Sequence, residues 1–137
     1  MRQLISRRGR SDRGWTLIEL LVVLSLIMIL VSLAMNQYRM SIRTAEEATL
    51  RSNLYRMRDA IDQYYADKGV YPASIQALVT DGYLRAIPMD TITRSTETWT
   101  TVAAEPDPTK PTSDPGIYDV KSGSDALSMN GTRYADW

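Results

Sequence analysis

The hydrophobic pattern divides the chain near its N-terminus, where a polar, arginine-rich stretch gives way to an apolar one. Residues 15–35 form a run of 21 residues in which Glu19 is the only ionisable side chain. A helix of that length spans about 30 Å, which is close to the hydrocarbon thickness of a bilayer. The pattern therefore predicts a membrane-spanning helix at residues 15–35.

The pattern becomes amphipathic in residues 36–68. Apolar side chains recur there at spacings of four, three, four and three residues, which is the helical period. They are Leu50, Leu54, Met57, Ile61 and Tyr64. Residues 15–68 contain no Pro or Gly, so one continuous helix is predicted, ended by Gly69. Its first half is expected to pack against other copies of the chain, and the stripe of its second half against the chain's own head.

Residues 69–137 are predicted to form that head, in which the long helical pattern has ended. A short helix is expected at residues 74–80. Ser74 is suited to cap its first turn, and Gly82 is suited to end it.

Two short strands are predicted further along, at residues 98–103 and 117–120, which are rich in β-branched and aromatic side chains. Residues 105–116 between them contain four prolines, which exclude a helix or a central strand and predict a loop. Asn130 and Gly131 predict a turn. The fold class is therefore α+β: a long N-terminal helix packed on a small head with a short helix, loops and a small antiparallel sheet.

Charge and composition exclude several classes of function. The chain has 16 basic and 16 acidic residues, which argues against a nucleic-acid-binding protein. It contains neither His nor Cys, and so has no imidazole base, thiolate nucleophile, Cys/His metal site or disulfide. We therefore expect that the protein is not an enzyme.

The charges are nevertheless unevenly distributed along the chain. Five arginines and one aspartate precede residue 14, whereas residues 15–137 contain 11 basic and 15 acidic side chains. Positive charge beside a membrane-spanning helix stays on the cytoplasmic side. The head is therefore expected outside the cytoplasmic membrane.

Glu19 is the unusual residue of the apolar segment. A carboxylate in such a segment is costly and commonly marks a function or a partner. In one interpretation, Glu19 lies near the lipid headgroups and is stabilised by the helix N-terminus. In the other, the chain is cut after Gly14, and the new amine of a neighbouring copy neutralises the carboxylate.

The sequence around Glu19 resembles a known signature. Residues 13–23, RGWTLIELLVV, preceded by a basic leader, are similar to the class III signal sequence of type IV pilins and type II secretion pseudopilins. The resemblance implies that a prepilin peptidase cuts after Gly14 and so removes the leader, residues 1–14. The same peptidase would methylate the new N-terminus at Trp15.

The same resemblance assigns Glu19 and Thr16 to contacts between subunits of a helical filament. It also implies a pilin-like fold and a single-pass protein of the bacterial inner membrane, with a cytoplasmic N-terminus and a periplasmic head. The assembled filament would lie in the periplasm or at the cell surface.

The head carries a second resemblance. Residues 67–72, DKGVYP, and residues 82–90, GYLRAIPMD, are similar to the major pseudopilins of type II secretion, the general secretion pathway protein G family. This implies a structural subunit of a pseudopilus, a filament that is assembled from the inner membrane and drives protein export through an outer-membrane secretin. The implied partners are other copies of the chain, the prepilin peptidase, minor pseudopilins and the inner-membrane assembly platform.

The C-terminal residues resemble the calcium-binding loop of the same family, in the run YDVKSGSD of residues 118–125 and the final Asp-Trp. The resemblance implies calcium ligands at Asp125 and Asp136, with Asp119 and Ser122 as further candidates. Calcium takes six to eight oxygen ligands, so carbonyl groups and water would complete the set. Chelation of calcium is then expected to lower the melting temperature. The alternative is that these acidic side chains simply lie on a solvated loop.

Two other functions are compatible with the same residues. One is the major subunit of a type IV pilus, used for adhesion, motility or DNA uptake. Type IVa pilins commonly have a C-terminal disulfide, which this cysteine-free chain cannot form. The other is an uncleaved, signal-anchored periplasmic binding domain that holds calcium or a small ligand.

Overall fold

The computed structural model describes residues 13–106 and 115–137, with side chains from Thr16 onward. Most of the predicted leader and most of the predicted proline-rich loop lie outside these residues. The chain divides into two units by its internal contacts, Met1–Met40 and Ser41–Trp137.

Helix α1, Arg13–Lys68, is the longest element and begins two residues before the helix predicted from the sequence. From Thr16 onward, its apolar residues in the first unit point outward on all sides, and none of these is buried within the chain. The hydroxyls of Ser25 and Ser32 donate to carbonyl oxygens one turn earlier in the helix, at 2.7 and 2.8 Å. Both hydroxyls are therefore satisfied even in apolar surroundings.

The second unit has a hydrophobic core built on the predicted stripe of α1. Four of the five predicted stripe residues are almost fully buried. They are Leu50, Leu54, Met57 and Ile61. Tyr64 is only partly buried and packs at the edge of this core. Gly69 ends α1 in the left-handed region, at φ +68°, and its N–H donates to the carbonyl of Tyr65 at 2.8 Å.

Helix α2, Ile75–Thr80, confirms the short helix predicted in the head. The Ser74 hydroxyl accepts a hydrogen bond from the N–H of Ala77 at 3.2 Å and so caps the first turn. Leu78 carries the apolar side of α2 into the core, where it is fully buried. Gly82 follows at φ +84° and turns the chain away, as expected from the sequence.

The sheet consists of two antiparallel strands, β1, Thr100–Ala103, and β2, Ile117–Lys121. Thr100 pairs with Lys121, and the register is irregular near the end of β1. Ile117 and Val120 of β2 are buried in the core, so the sheet lies against the stripe of α1.

Strand β1 begins two residues later than the sequence predicted. Thr98 and Trp99 contact the preceding loop instead of the sheet. The Trp99 indole N–H donates to the carbonyl of Pro88 at 2.8 Å, and the Thr98 and Thr93 hydroxyls are hydrogen-bonded to each other. These contacts fix the Trp99 ring in the core, where only 8% of the residue is exposed.

The C-terminal segment closes the core. Gly131 adopts φ +81°, and its N–H donates to the carbonyl of Ser128 at 3.0 Å, which confirms the predicted turn. A 3₁₀ helix, Tyr134–Asp136, follows and buries the Tyr134 ring.

Candidate functional site

The described part of the first unit is an apolar helix with an exposed surface. Its large apolar side chains from Leu17 to Met35 are between 45% exposed, at Val23, and 73% exposed, at Met28. The helix is long and apolar enough to cross a membrane. An apolar surface of this size requires lipid or other apolar helices around it.

The residues predicted to act in processing and assembly lie in the first turns of this helix. Gly14 and Trp15 lie within α1, and the Trp15 side chain is outside the part that the structure describes. Thr16 and Glu19 follow, both exposed. Within the described part of the chain, the Glu19 carboxylate has neither a hydrogen-bond nor an ion-pair partner. The carboxylate is thus available to a group supplied from outside the chain.

The four predicted calcium ligands do not converge. Asp119 accepts a hydrogen bond from Arg58, and Ser122 is buried and hydrogen-bonded to another side chain. Asp125 and Asp136 are exposed. In residues 13–106 and 115–137 no three acidic side chains are grouped so as to hold a metal ion. The residues as placed do not fit one calcium site, so calcium binding stays a prediction from the resemblance.

The partner of Ser122 is Asp90, a fully buried carboxylate. Asp90 accepts hydrogen bonds from the Ser122 hydroxyl at 2.6 Å and from the N–H groups of Ile92 and Thr93 at 2.9 and 3.3 Å. The sequence analysis missed this role of Asp90. The two N–H contacts form a local turn typical of aspartate, which is a signal that the sequence does contain. Asp90 thus joins the loop after α2 to the segment after β2.

A second buried carboxylate, Glu47, holds the C-terminal segment against α1. Its Oε1 atom accepts the Tyr134 hydroxyl at 2.8 Å and the N–H of Met129 at 2.7 Å. Burial, followed by the hydrogen bond to Glu47, raises the pKa of Tyr134 to about 12. Tyr134 is therefore a neutral hydrogen-bond donor throughout the physiological pH range.

Arg58 provides a second connection between α1 and the C-terminal half of the head. Its Nε atom donates to Oδ1 of Asp119 at 2.6 Å. One terminal nitrogen donates to two backbone carbonyls, those of Val120 at 3.0 Å and Trp137 at 2.9 Å. Arg58 lies outside the apolar stripe of α1, and its role was not predicted from the sequence.

Parts of the chain are similar in sequence to known proteins. Residues 9–35 match the family described as the prokaryotic N-terminal methylation motif. A type II secretion system core protein G from Klebsiella michiganensis is 31% identical, in an alignment that covers 61% of this chain and 70% of that protein. The protein of the same name from Pectobacterium carotovorum subsp. carotovorum is 30% identical, with 60% and 63% covered. Fimbrial protein EcpC from Eikenella corrodens is 31% identical, with 56% and 53% covered. No solved structure matches at a comparable level.

The methylation motif, the exposed apolar helix and the small α+β head define a pilin-like protein. Among such proteins, the chain belongs to the type II secretion system core protein G family, the pseudopilins. This confirms the family that the two resemblances in the sequence imply. The chain spans less than two thirds of the Pectobacterium and Eikenella relatives.

Proposed function

We propose that the protein is a structural subunit of a type II secretion pseudopilus, the filament that drives protein export through an outer-membrane secretin. One observation carries the proposal: from Leu17 to Met35, the large apolar side chains of α1 are exposed on every side of the helix. Such a helix is stable in lipid, and it is equally stable in a bundle of like helices, because both surroundings are apolar. Transfer from the membrane into a filament therefore exposes little apolar surface to water.

Processing would prepare the chain for this transfer. The arginine-rich leader, residues 1–14, keeps the N-terminus in the cytoplasm and leaves the head in the periplasm. A prepilin peptidase then cuts after Gly14 and methylates the amine of Trp15. The match of residues 9–35 to the N-terminal methylation motif supports both steps.

Glu19 would then select the position of the next subunit. Its carboxylate has no partner in the described chain, and a carboxylate in an apolar bundle needs a cation. The amine of Trp15 from a neighbouring copy is a cation at the same end of the helix as Glu19. Thr16 lies between Trp15 and Glu19 in the sequence. A subunit in the wrong register would leave both charges unpaired.

The partners follow from this role. They are other copies of the chain, the prepilin peptidase, minor pseudopilins and the inner-membrane assembly platform. Nucleic acid is not among them, and the subunit performs no covalent chemistry of its own. The names of the Klebsiella and Pectobacterium relatives, core proteins of a secretion system, support this group of partners.

A variant of Glu19 tests the proposal. Glu19→Gln and Glu19→Ala are expected to insert and to be cut, yet to lower filament yield about tenfold or more. The reason is that a hydrogen bond between charged groups contributes about 1.5–3 kcal/mol, and about 1.4 kcal/mol corresponds to a factor of ten. Filaments sheared from cells that overproduce the protein would be counted by electron microscopy.

Ser25→Ala is the matched control, because the Ser25 hydroxyl is already bonded within its own helix. This variant should assemble like the wild type. Wild-type filament yield from both Glu19 variants would contradict the assigned role of Glu19.

The similarity to fimbrial protein EcpC favours a second candidate function, the major subunit of a surface type IV pilus. Deleting the gene separates the two functions. If the protein is a secretion subunit, its loss leaves exported proteins in the periplasm. If it is a pilus subunit, its loss removes surface fibres and leaves export intact. The third reading, a signal-anchored periplasmic binding domain, requires that the leader stays attached.

A further inference from the structure

We propose that the head contains an internal cation site, formed by three oxygen atoms and filled by the guanidinium group of Arg58 in place of a metal ion. The oxygens are Oδ1 of Asp119, the backbone carbonyl oxygen of Val120 and the main-chain oxygen of Trp137. All three lie within 3.0 Å of a nitrogen of Arg58. The proposal concerns the stability of the head and does not depend on filament assembly.

The chemistry of the oxygens supports this assignment. Carboxylate and main-chain oxygens are among the kinds of oxygen that bind calcium in proteins. A guanidinium satisfies the same oxygens through directed N–H donors, and it is always charged. Arg58 places Nε on the carboxylate and a terminal nitrogen on both carbonyls. A metal ion would have to displace this side chain to reach the same three oxygens.

The position of Arg58 explains why its side chain is held there. Arg58 directly follows Met57 and lies one turn after Leu54, both of which are buried in the core. The side chain of Arg58 is 39% exposed and that of Asp119 is 25% exposed, so their ion pair is only partly screened by water. The interaction joins α1 to β2 and to the last residue of the chain.

Trp137 is held at several further points, which fixes the third oxygen. The guanidinium of Arg51 lies over the Trp137 ring, 4.2 Å from its centre. The indole N–H donates to the Thr132 hydroxyl at 2.9 Å, and the ring packs edge-on against Tyr134. The Trp137 carbonyl is therefore oriented toward Arg58 before any ion is present.

The proposal differs from the calcium prediction in what holds the C-terminal segment. Two of the four predicted ligands, Asp119 and Ser122, are already bonded to Arg58 and Asp90. The head should therefore keep its stability when calcium is removed. Calcium should matter only when Arg58 is absent and its oxygens are left without a cation.

The test measures the melting temperature of the detergent-solubilised full chain by tryptophan fluorescence, in a chelator and in excess calcium chloride. The wild type should melt at the same temperature in both. Arg58→Ala should melt lower in the chelator by about 5 °C or more, as expected for a loss of about 1 kcal/mol in a domain of this size. Millimolar calcium should restore part of that loss.

Three further variants make the result specific. Arg58→Lys keeps a cation and should melt between the wild type and Arg58→Ala. Arg56→Ala is the matched control, because Arg56 is exposed on the same helix and has no hydrogen bond or ion pair within the described residues. It should melt like the wild type. The double variant Arg58→Ala, Asp119→Asn should lose the response to calcium, because its carboxylate is gone.

Three outcomes would overturn the proposal. They are a wild-type melting temperature that falls in the chelator, an Arg58→Ala variant as stable as the wild type, and an Arg58→Ala variant that melts lower and does not respond to calcium. The last outcome would mean that the three oxygens hold an arginine but do not form a cation site.

Discussion

Tyr134 shows how a single residue of the head depends on its surroundings. Its ring is 3% exposed, and its hydroxyl donates to the buried carboxylate of Glu47. Ionising this phenol would place a second negative charge beside the first without water to screen either. The pKa of Tyr134, raised to about 12, reflects both effects.

The raised pKa predicts a loss of stability at alkaline pH. The unfolded phenol ionises near pH 10 and the folded one near pH 12, so the contribution of Tyr134 is complete below pH 10 and is lost as the pH rises to about 12. The loss amounts to up to about 3 kcal/mol, from about 1.4 kcal/mol for each pKa unit. Unfolding by urea between pH 8 and pH 12 measures it.

Comparison with the Tyr134→Phe variant separates the contribution of Tyr134 to the pH dependence of stability from that of the other tyrosines. That variant should be less stable at pH 8 but should lose less stability between pH 10 and pH 12. Tyr55→Phe serves as the control, because Tyr55 is 73% exposed, and it should follow the wild type. Identical pH profiles for wild type and Tyr134→Phe would show that the hydroxyl is not buried against Glu47.

Residues such as these could not be found from the sequence because their partners are distant along the chain. Glu47 and Tyr134 are 87 positions apart, and Arg58 and Trp137 are 79 positions apart. A helical pattern assigns Arg58 only to a polar side of α1. Asp90 is different, since its contacts to Ile92 and Thr93 are local and typical of aspartate in turns.

At the scale of the elements, the local signals of the sequence predict the helices well. The apolar period and the absence of Pro and Gly from residues 15–68 predict most of α1, and Ser74 marks the start of α2. The strand boundaries depend on contacts from elsewhere in the chain. Thr98 and Trp99 have strand-like side chains, but Pro88 and Thr93 hold them outside β1.

A close approach between elements gives a prediction at Gly123, just after β2. A Cβ atom at this position would overlap the carbonyl oxygen of Thr98, which precedes β1. Gly123→Ala should therefore lower the free energy of unfolding by about 3 kcal/mol, the upper range for overpacking. The measurement is urea unfolding of the full chain in detergent.

Gly131→Ala provides the comparison. Gly131 has open space around its missing Cβ atom but a positive φ, so the substitution should cost about 1 kcal/mol from backbone strain alone. A Gly123→Ala variant that is as stable as the wild type would show that β2 and the segment before β1 are not packed so closely.

The whole molecule combines two features with different chemistry, the apolar part of α1 and the folded head. The apolar part of α1 carries assembly, because its exposed surface is suited both to lipid and to other helices. The head carries a conventional core, joined to its C-terminal segment by Glu47 and Arg58. The first feature could be predicted from the length and polarity of residues 15–35 alone. The second required the folded chain, because it rests on contacts between distant residues.

The mass of the intact protein, purified from native membranes, tests the central claim most directly. In the function proposed above, the Trp15 amine is freed by cleavage and meets Glu19 of another copy. The account predicts a chain that has lost residues 1–14 and gained one methyl group on the N-terminal tryptophan. A native protein that retains its arginine-rich leader would contradict it.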